Sequence, residues 1–328
     1  MGKKTTGKAH RKGIGMAELF RRWPTDEAAE AWFVARRWPD GIHCPHCGSM
    51  NVQTGAKHKT MPYRCREKEC AKRFSAKTGT VMEGSKLGFQ TWMIATYLLS
   101  TNLKSVSSMK LHRDLSINQR SAWFLAHRLR VALAERGRVF EGPVEVDESY
   151  FGGRQANMPR SKRKELARGG TAHMTAVVGM KDRDSNEVRA EVVADTTKPT
   201  LQGFVREHAE PGAAVYTDEH RSYVGLDADF DHETVNHRVG EYVDGMIHTN
   251  GMESFWSMLK RAHKGTFHKF SPKHLQRYVD EFAGRHNVRE ADTIDIMATF
   301  AAGMAGKRLR YRDLTAANGL SSGARPIA

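Results

Sequence analysis

The sequence predicts an α/β domain built on a sheet with a mixed edge, preceded by a small metal-binding module and a helical module. Three observations carry this. Four cysteines fall in two close pairs, Cys44/Cys47 and Cys65/Cys70. Residues 86 to 137 hold few glycines and no proline, with apolar residues at helical spacing. From residue 142 the character changes: VEVDESYF (144–151), HMTAVVGMK (173–181), EVRAEVVAD (187–195) and AAVYTD (213–218) are β-rich runs bounded by turn residues. A helical run, KPTLQGFVREHAE (198–210), separates the third from the fourth, and further helical runs follow at about 250–263 and 272–286.

Length and charge narrow the class. The 328 residues have room for two or three domains, and 39% hydrophobic with 27% charged residues is a globular composition. The net charge of +15 and pI near 9.7 suit a polyanionic partner, nucleic acid before membrane. The best apolar run, WMIATYLL (92–99), is far too short to span a bilayer, and no apolar stretch follows the basic MGKKTTGKAHRKG start. Four cysteines make no disulfide scaffold. The expected location is therefore cytoplasmic, associated with the nucleoid.

In chain order, residues 1–41 read as a basic arm followed by helices, with Leu19, Phe20, Trp23, Ala28, Ala29, Trp32 and Phe33 at helical spacing and Thr25 as an N-cap. Residues 42–82 form the metal module, 86–137 the helical module, 142–290 the sheet domain, and 291–328 a C-terminal helix and basic tail. Within the helical module, residues 103–133 read as helix, turn, helix. Val106, Met109 and Leu111 face inward on the first helix and Leu115-Ser116 makes the turn. Asn118, Gln119, Arg120 and Ser121 stand at the start of the second, where a helix-turn-helix reader would meet base edges. Two packed helices of any bundle give the same pattern.

In the metal module, Cys44 and Cys47 are separated by two residues, Cys65 and Cys70 by four, and the pairs by seventeen. Each pair makes a knuckle that aims two thiolates at one point, and two knuckles complete a tetrahedral zinc site. With four sulfurs in the shell the ion has no open position, so its role is structural. Tyr63 and Phe74 flank the second knuckle. Lys57, Lys59, Arg64, Arg66, Lys68, Lys72, Arg73 and Lys77 surround the site, suited to phosphates or simply solvated.

The sheet domain begins with three carboxylates in four positions, Glu145, Asp147 and Glu148, although acids are poor strand formers and costly to bury. Alternation sends Glu145 and Asp147 to one face and Glu148 to the other. Asp218 ends the fourth run. Glu253 follows, with thirty-four residues between, at the head of a helix, with Lys260 two turns further on the same face. Carboxylates converging at a sheet end repel one another unless divalent cations sit among them, and Mg²⁺ or Mn²⁺ prefer such hard oxygen ligands. Two such ions serve phosphoryl transfer.

Taken together, RWPDGIHCPHCGS, YRCREKECAKRFSAKTGTVMEGSKL, VEVDESYFGGR, TAVVGMKDR, YTDEHRSY, HTNGMESFWSMLKRAHKGTFHKFSPKHLQRYVDEF and GKRLRYRDL, in order from about 36 to 314, resemble the bacterial and archaeal insertion-sequence transposases of the DDE class, in the group with an N-terminal zinc ribbon and an ISXO-type catalytic domain. The resemblance implies an RNase H-like catalytic core over 142–290. It implies Asp147, Asp218 and Glu253 as the triad holding two Mg²⁺ or Mn²⁺ ions, and Lys260 as the downstream basic residue. It further implies DNA cleavage at element ends, joining of the 3′-OH into target DNA, terminal inverted repeats and target DNA as partners, and a homo-oligomer in the active complex. Asn250 is the rival third ligand. Glu148 and Glu219 are rivals to Asp147 and Asp218, and His220 and His248 are possible helpers. The basic loop 154–170 suits a DNA-backbone contact. The competing reading is a sequence-specific zinc-ribbon DNA-binding protein without catalysis.

Overall fold

The computed structural model describes residues 12–134, 139–153, 158, 160, 163, 171, 173–235 and 249–322. In chain order its helices are α1 (Met16–Arg22), α2 (Asp26–Arg37), α3 (Phe89–Thr101), α4 (Ser108–Asp114), α5 (Gln119–Leu133), α6 (Lys198–His208), α7 (Asn250–Ala262), α8 (Leu275–Asn287), α9 (Thr293–Gly303) and α10 (Tyr311–Thr315). Its strands are β1 (Val52–Gln53), β2 (Tyr63–Cys65), β3 (Arg73–Phe74), β4 (Val144–Phe151), β5 (Thr175–Asp182), β6 (Val188–Val193), β7 (Ala214–Asp218) and β8 (Asp231–Val235). The chain divides into two compact units, one of residues 1–134 and 288–316, the other of 135–287 and 317–328.

The first unit is helical around a small antiparallel sheet, β1-β2-β3. Thr25 caps α2, its hydroxyl accepting the Ala28 N–H at 3.2 Å, which satisfies one of the helix's orphan donors. Its core joins Leu19, Phe33, Trp92, Leu99, Leu111, Leu125 and Leu129 with Ile296, Met297 and Phe300 of α9. Residues 288–316, read from the sequence as part of a separate C-terminal segment, thus belong with the N-terminal modules, because α9 turns an apolar stripe into their core. The basic segment after α9 is tied down as well: Lys307 donates to the carbonyls of Ala132 and Ala134 at 3.0 and 2.6 Å, supplying a cation where α5 ends. The α4–turn–α5 arrangement follows the expectation, with Ser116 at φ 51° in the turn and Asn118 capping α5 through the Ser121 N–H at 2.8 Å. Met109 corrects it. Val106 and Leu111 are buried, but Met109 is 45% exposed, since α4 is only two turns long and turns that position outward.

The second unit is a five-stranded sheet among the described residues, in the order β6-β5-β4-β7-β8. β4–β5 and β5–β6 pair antiparallel, β4–β7 and β7–β8 parallel. This is the mixed sheet of an RNase H-like domain. Val144, Val146, Val178, Val215 and Tyr223 form one core with Leu201 and Val205 of α6. On the other face Phe151, Val177 and Val188 pack against Met252, Phe255, Trp256 and Leu259 of α7 and Leu275, Val279 and Phe282 of α8. Strand β8 was not legible from the sequence: its DHETV is polar because it lies at the sheet edge, where the apolar alternation lapses. The opposite edge, β6, is covered by amide side chains of α8. Gln276 accepts from Val192 N–H and donates to Ala190 O, and Asn287 does the same for Val188, so the open ladder finds its partners within the chain.

Candidate active site and zinc centre

The two cysteine knuckles close on each other. Cys44 Sγ lies 3.7 Å from Cys70 Sγ and Cys47 Sγ 3.6 Å from Cys65 Sγ, and all four sulfurs fall within 4.8 Å. A tetrahedral ion with sulfurs at about 2.3 Å has edges of about 3.8 Å, so the donor set fits zinc. Gly48, at φ 77°, makes the tight turn of the first knuckle, and Ala71 stands at φ 47° after the second. Ser49 donates to Glu67 at 2.7 Å and ties the knuckles together. Burial pushes the Cys65 thiol up to about 12, with the neighbouring thiols adding to it, which is the electrostatic strain a dication relieves. Trp38 packs edge-on against Tyr63 and Phe74 at 5.8 and 6.1 Å, and Tyr63 and Phe74 lie 5.5 Å apart. Of the basic rim, Lys57, Lys59, Arg64, Arg66, Lys68, Lys72 and Arg73 are exposed. Lys77 is not part of it. Half-buried, it lies 4.5 Å over the Phe89 ring and donates to Leu87 O.

The carboxylates gather where the parallel pairing of β4 with β7 gives out, in the middle of β4 and at the C-terminal end of β7. The parallel register sets Val144 beside Val215 and Glu145 beside Tyr216, and continuing it brings Asp147 beside Asp218 on one face. Glu148 points to the other face, where the Tyr223 hydroxyl donates to it. Because β7 ends at Asp218, the Glu148 carboxylate still reaches its neighbours: oxygens of Asp147, Glu148 and Asp218 lie within 4.8 Å of one another. Glu253 is outside that threesome. It is exposed on the first turn of α7 and lines, with Asp147, Glu148, Trp256, Ser257, Lys260, Arg261 and Lys264, an open cleft of about 490 Å³. Trp256 Nε1 donates to Asp147 Oδ2 at 3.1 Å, and the Glu148 N–H donates to Asp147 Oδ1 at 2.8 Å.

Electrostatics mark this cluster. Burial raises Asp147 to about 6, with the charges of Asp218 and Glu253 adding to it. Burial likewise raises Glu148 to about 8, with Asp218 and Asp147 adding. Tyr223, fully buried beneath, is pushed well above the usual phenol range by burial and by Glu148. Hard oxygen donors under mutual repulsion, open to a cleft on one side, fit divalent cations of the Mg²⁺ kind.

The remaining expected residues distribute as follows. Asn250 is exposed at the start of α7 and is not among the cleft residues. Glu219 and His220 are exposed, and His220 accepts from Ser222 N–H, closing the turn after β7. Asn118, Gln119 and Arg120 are exposed at the head of α5. His248 lies outside the described residues, as does almost all of the loop 154–170. Sequence reasoning missed Trp256, Tyr223, Arg261 and Lys264. Three of these had a signal: 253, 256, 260 and 264 recur at helical spacing, and 261 adjoins them. Tyr223 had none, since its contact with Glu148 bridges 75 residues.

A mixed five-stranded sheet with acids converging where β4 and β7 run parallel, in a chain that also carries a four-thiol ribbon, is the arrangement that the resemblance to DNA transposases implies. The comparisons agree. Residues 139–287 match the model of the ISXO2-like transposase domain and residues 24–73 that of the transposase zinc-ribbon domain. The chain is 30% identical over 268 residues, 77% of its length and 87% of the relative, to an uncharacterized protein in transposable element ISH50 of Halobacterium salinarum. It is 34% identical over 100 residues, 30% of its length and 80% of the relative, to an uncharacterized transposase-like protein of Haemophilus influenzae. The chain belongs to the ISXO2-like transposases with an N-terminal zinc ribbon. Among the described residues, no helix is long and apolar enough to cross a membrane.

Proposed function

We propose that the chain cuts DNA at the ends of its element and joins the freed 3′-OH into target DNA, with Asp147, Asp218 and Glu253 holding two Mg²⁺ or Mn²⁺ ions and Lys260 contacting DNA phosphate. The observation that supports this most is the convergence of Asp147, in the middle of β4, with Asp218, at the end of the adjacent parallel strand β7, beside an open cleft with a lysine-rich wall. Bound there, the ions would supply Lewis acidity to an in-line phosphoryl transfer. The chain's own residues do the rest. Trp256 orients Asp147 through its indole N–H. Lys260, Arg261 and Lys264 present three cations along one side of the cleft, where a phosphodiester would lie. In the first step water attacks the phosphodiester at the element end and the element's 3′-oxygen leaves, giving a free 3′-OH and a 5′-phosphate on the flanking strand. In the second, that 3′-OH displaces a 3′-oxygen of the target strand.

The zinc ribbon with its exposed basic rim, the head of α5 and the basic arm would hold the terminal inverted repeats. Two ends must be cut together, which favours a homo-oligomer as the working form. The test is cleavage and joining of a labelled duplex carrying the element's own end, with Mg²⁺ or Mn²⁺, by the wild type and by Asp147→Asn and Glu253→Gln. Metal-dependent joining lost in both variants supports the assignment. Sequence-specific binding without cleavage under either metal would make the chain a DNA-binding protein only.

A further inference from the structure

Of the three acids in VEVDESYF, Glu145 is the one the cleft does not use. It is 2% exposed and sits one step below Asp147 on the same face of β4. Its Oε1 accepts from Arg183 Nε at 2.8 Å and its Oε2 accepts from the Met252 N–H at 3.1 Å. The Arg183 guanidinium in turn lies 4.3 Å from the centre of the Tyr216 ring. Tyr216 is the direct parallel neighbour of Glu145, two residues before Asp218. Met252 immediately precedes Glu253. One buried layer, Glu145–Arg183–Tyr216 with the first turn of α7, therefore touches all three elements that carry the acids, one or two residues from each acid.

The approach of α7 to this layer is close. A side chain at Gly251 would bring its Cβ within 2.7 Å of Glu145 Oε2, and one at Gly179 of β5 would bring it within 2.4 Å of Met252 and 2.8 Å of Trp256. The helix is seated in a notch of two glycines and held there by the carboxylate. A carboxylate suits the position because it only accepts, and the Arg183 guanidinium and the Met252 amide, at a positively polarised helix start, both donate to it. An amide of the same size would turn an N–H toward a donor.

We infer that Glu145 is a positioning residue: it fixes the first turn of α7 against β4 and β7, and so sets how Glu253 stands relative to Asp147 and Asp218. This rests on the reading that those acids hold divalent cations. It accounts for the third acid of the motif, which is buried for the helix and not for the ions.

The test is Mn²⁺ titration, followed by electron paramagnetic resonance, of the zinc-loaded full chain. The variants are Glu145→Gln, Glu145→Gln with Arg183→Met, and Asp147→Asn, each also assayed for melting temperature. Asp147→Asn is expected to lose the Mn²⁺ site. Glu145→Gln is expected to weaken Mn²⁺ binding about 10- to 100-fold, the range seen when groups behind metal ligands are removed. The double variant, which also removes the stranded guanidinium, is expected to regain melting temperature without regaining Mn²⁺ affinity. It carries the measurement if Glu145→Gln alone does not fold. Mn²⁺ binding within twofold of wild type in either Glu145 variant would overturn the inference, because a merely structural role moves the melting temperature and leaves the folded site intact. An unchanged Mn²⁺ titration in Asp147→Asn would instead remove the carboxylate site itself, and the inference with it.

Discussion

The thiol cluster and the carboxylate cluster each bring their donor atoms within 4.8 Å of one another, yet they are built in opposite ways. The thiols come from two knuckles inside one short stretch. Two of the four, Cys44 and Cys65, are buried, and an aromatic group of Trp38, Tyr63 and Phe74 packs beside them. Four donors fill the shell of a tetrahedral ion and leave no place for a substrate. The carboxylates come from two strands far apart in the chain, β4 and β7, and two of them, Asp147 and Glu148, stand at the wall of an open cleft that Lys260, Arg261 and Lys264 also line. The first arrangement makes the metal part of the fold. The second leaves the fold complete without a metal, and an ion bound there would keep free positions where a phosphate can reach them.

This contrast is most exposed to failure at the thiols, where the largest effect is expected. Structural zinc in zinc-finger peptides binds with roughly 10–16 kcal/mol, and that energy is folding energy. Cys65→Ser should abolish the single stoichiometric zinc and make residues 42–82 sensitive to protease, while the second unit keeps its secondary structure by circular dichroism. A ribbon that stays protected after zinc is removed would break the comparison.

At the carboxylates the expected loss is in rate and not in fold. Asp147→Asn should lower cleavage by on the order of 1000-fold or more, as for other groups that stabilise charge in a transition state, with the zinc content of the ribbon unchanged. Coupled loss of zinc would mean that the two sites are not independent.

The next effect is a pH dependence of stability, and its sign separates a functional cluster from a stabilising one. Asp147 is raised from 3.8 to about 6 and Glu148 from 4.5 to about 8. As pH rises, the unfolded chain gives up these protons before the folded chain does. Without metal, stability therefore falls between about pH 4 and 6 through Asp147, and up to about pH 8 through Glu148. The Asp147 part is at most about 3 kcal/mol, and the two do not add, because the groups share a field. Mg²⁺ or Mn²⁺ binds the ionised form and should raise the melting temperature more at pH 8 than at pH 5. Asp147→Asn should flatten both the decline and the rescue. Equal metal shifts at the two pH values would count against the carboxylates as the ligands.

The sites differ also in how much of each the sequence disclosed. The thiol site was legible in full, because both knuckles are local and their spacing encodes the geometry. Around the carboxylates, the sequence pattern and the family resemblance pointed to Asp147 and Asp218, which the fold brings together, and to Glu253 and Lys260, which line the cleft beside them. What joins them could not. Tyr223 meets Glu148 across 75 residues and Trp256 meets Asp147 across 109. The burial of Glu145 depends on Arg183 and Met252, which no local pattern links to it. The fold shows the same division. β4 was readable to the residue from its alternation, whereas the polar edge strand β8 and the packing of α9 into the N-terminal core depend on partners distant in sequence.

The smallest effect tests whether the cleft's cations act on the backbone of DNA and not on its sequence. Lys260 is exposed and makes one wall of the cleft with Arg261 and Lys264. If it neutralises one phosphate, Lys260→Gln should weaken binding to element-end and unrelated duplexes alike and reduce the slope of log K against log salt by about 1. A triple change on the ribbon rim, Arg64, Arg66 and Arg73 to Gln, should reduce that slope by about 3 if all three meet phosphates, and should act more strongly on the element end than on unrelated DNA if the ribbon helps to choose it. A rim variant that leaves both slope and preference unchanged would reduce the ribbon to a folding device, and the first unit's contact with DNA would then fall to the head of α5, where Asn118, Gln119 and Arg120 stand exposed. An unchanged slope in Lys260→Gln, with cleavage still lost, would mean that this lysine acts at the reacting phosphate alone, because a contact made only in the transition state leaves the binding equilibrium untouched.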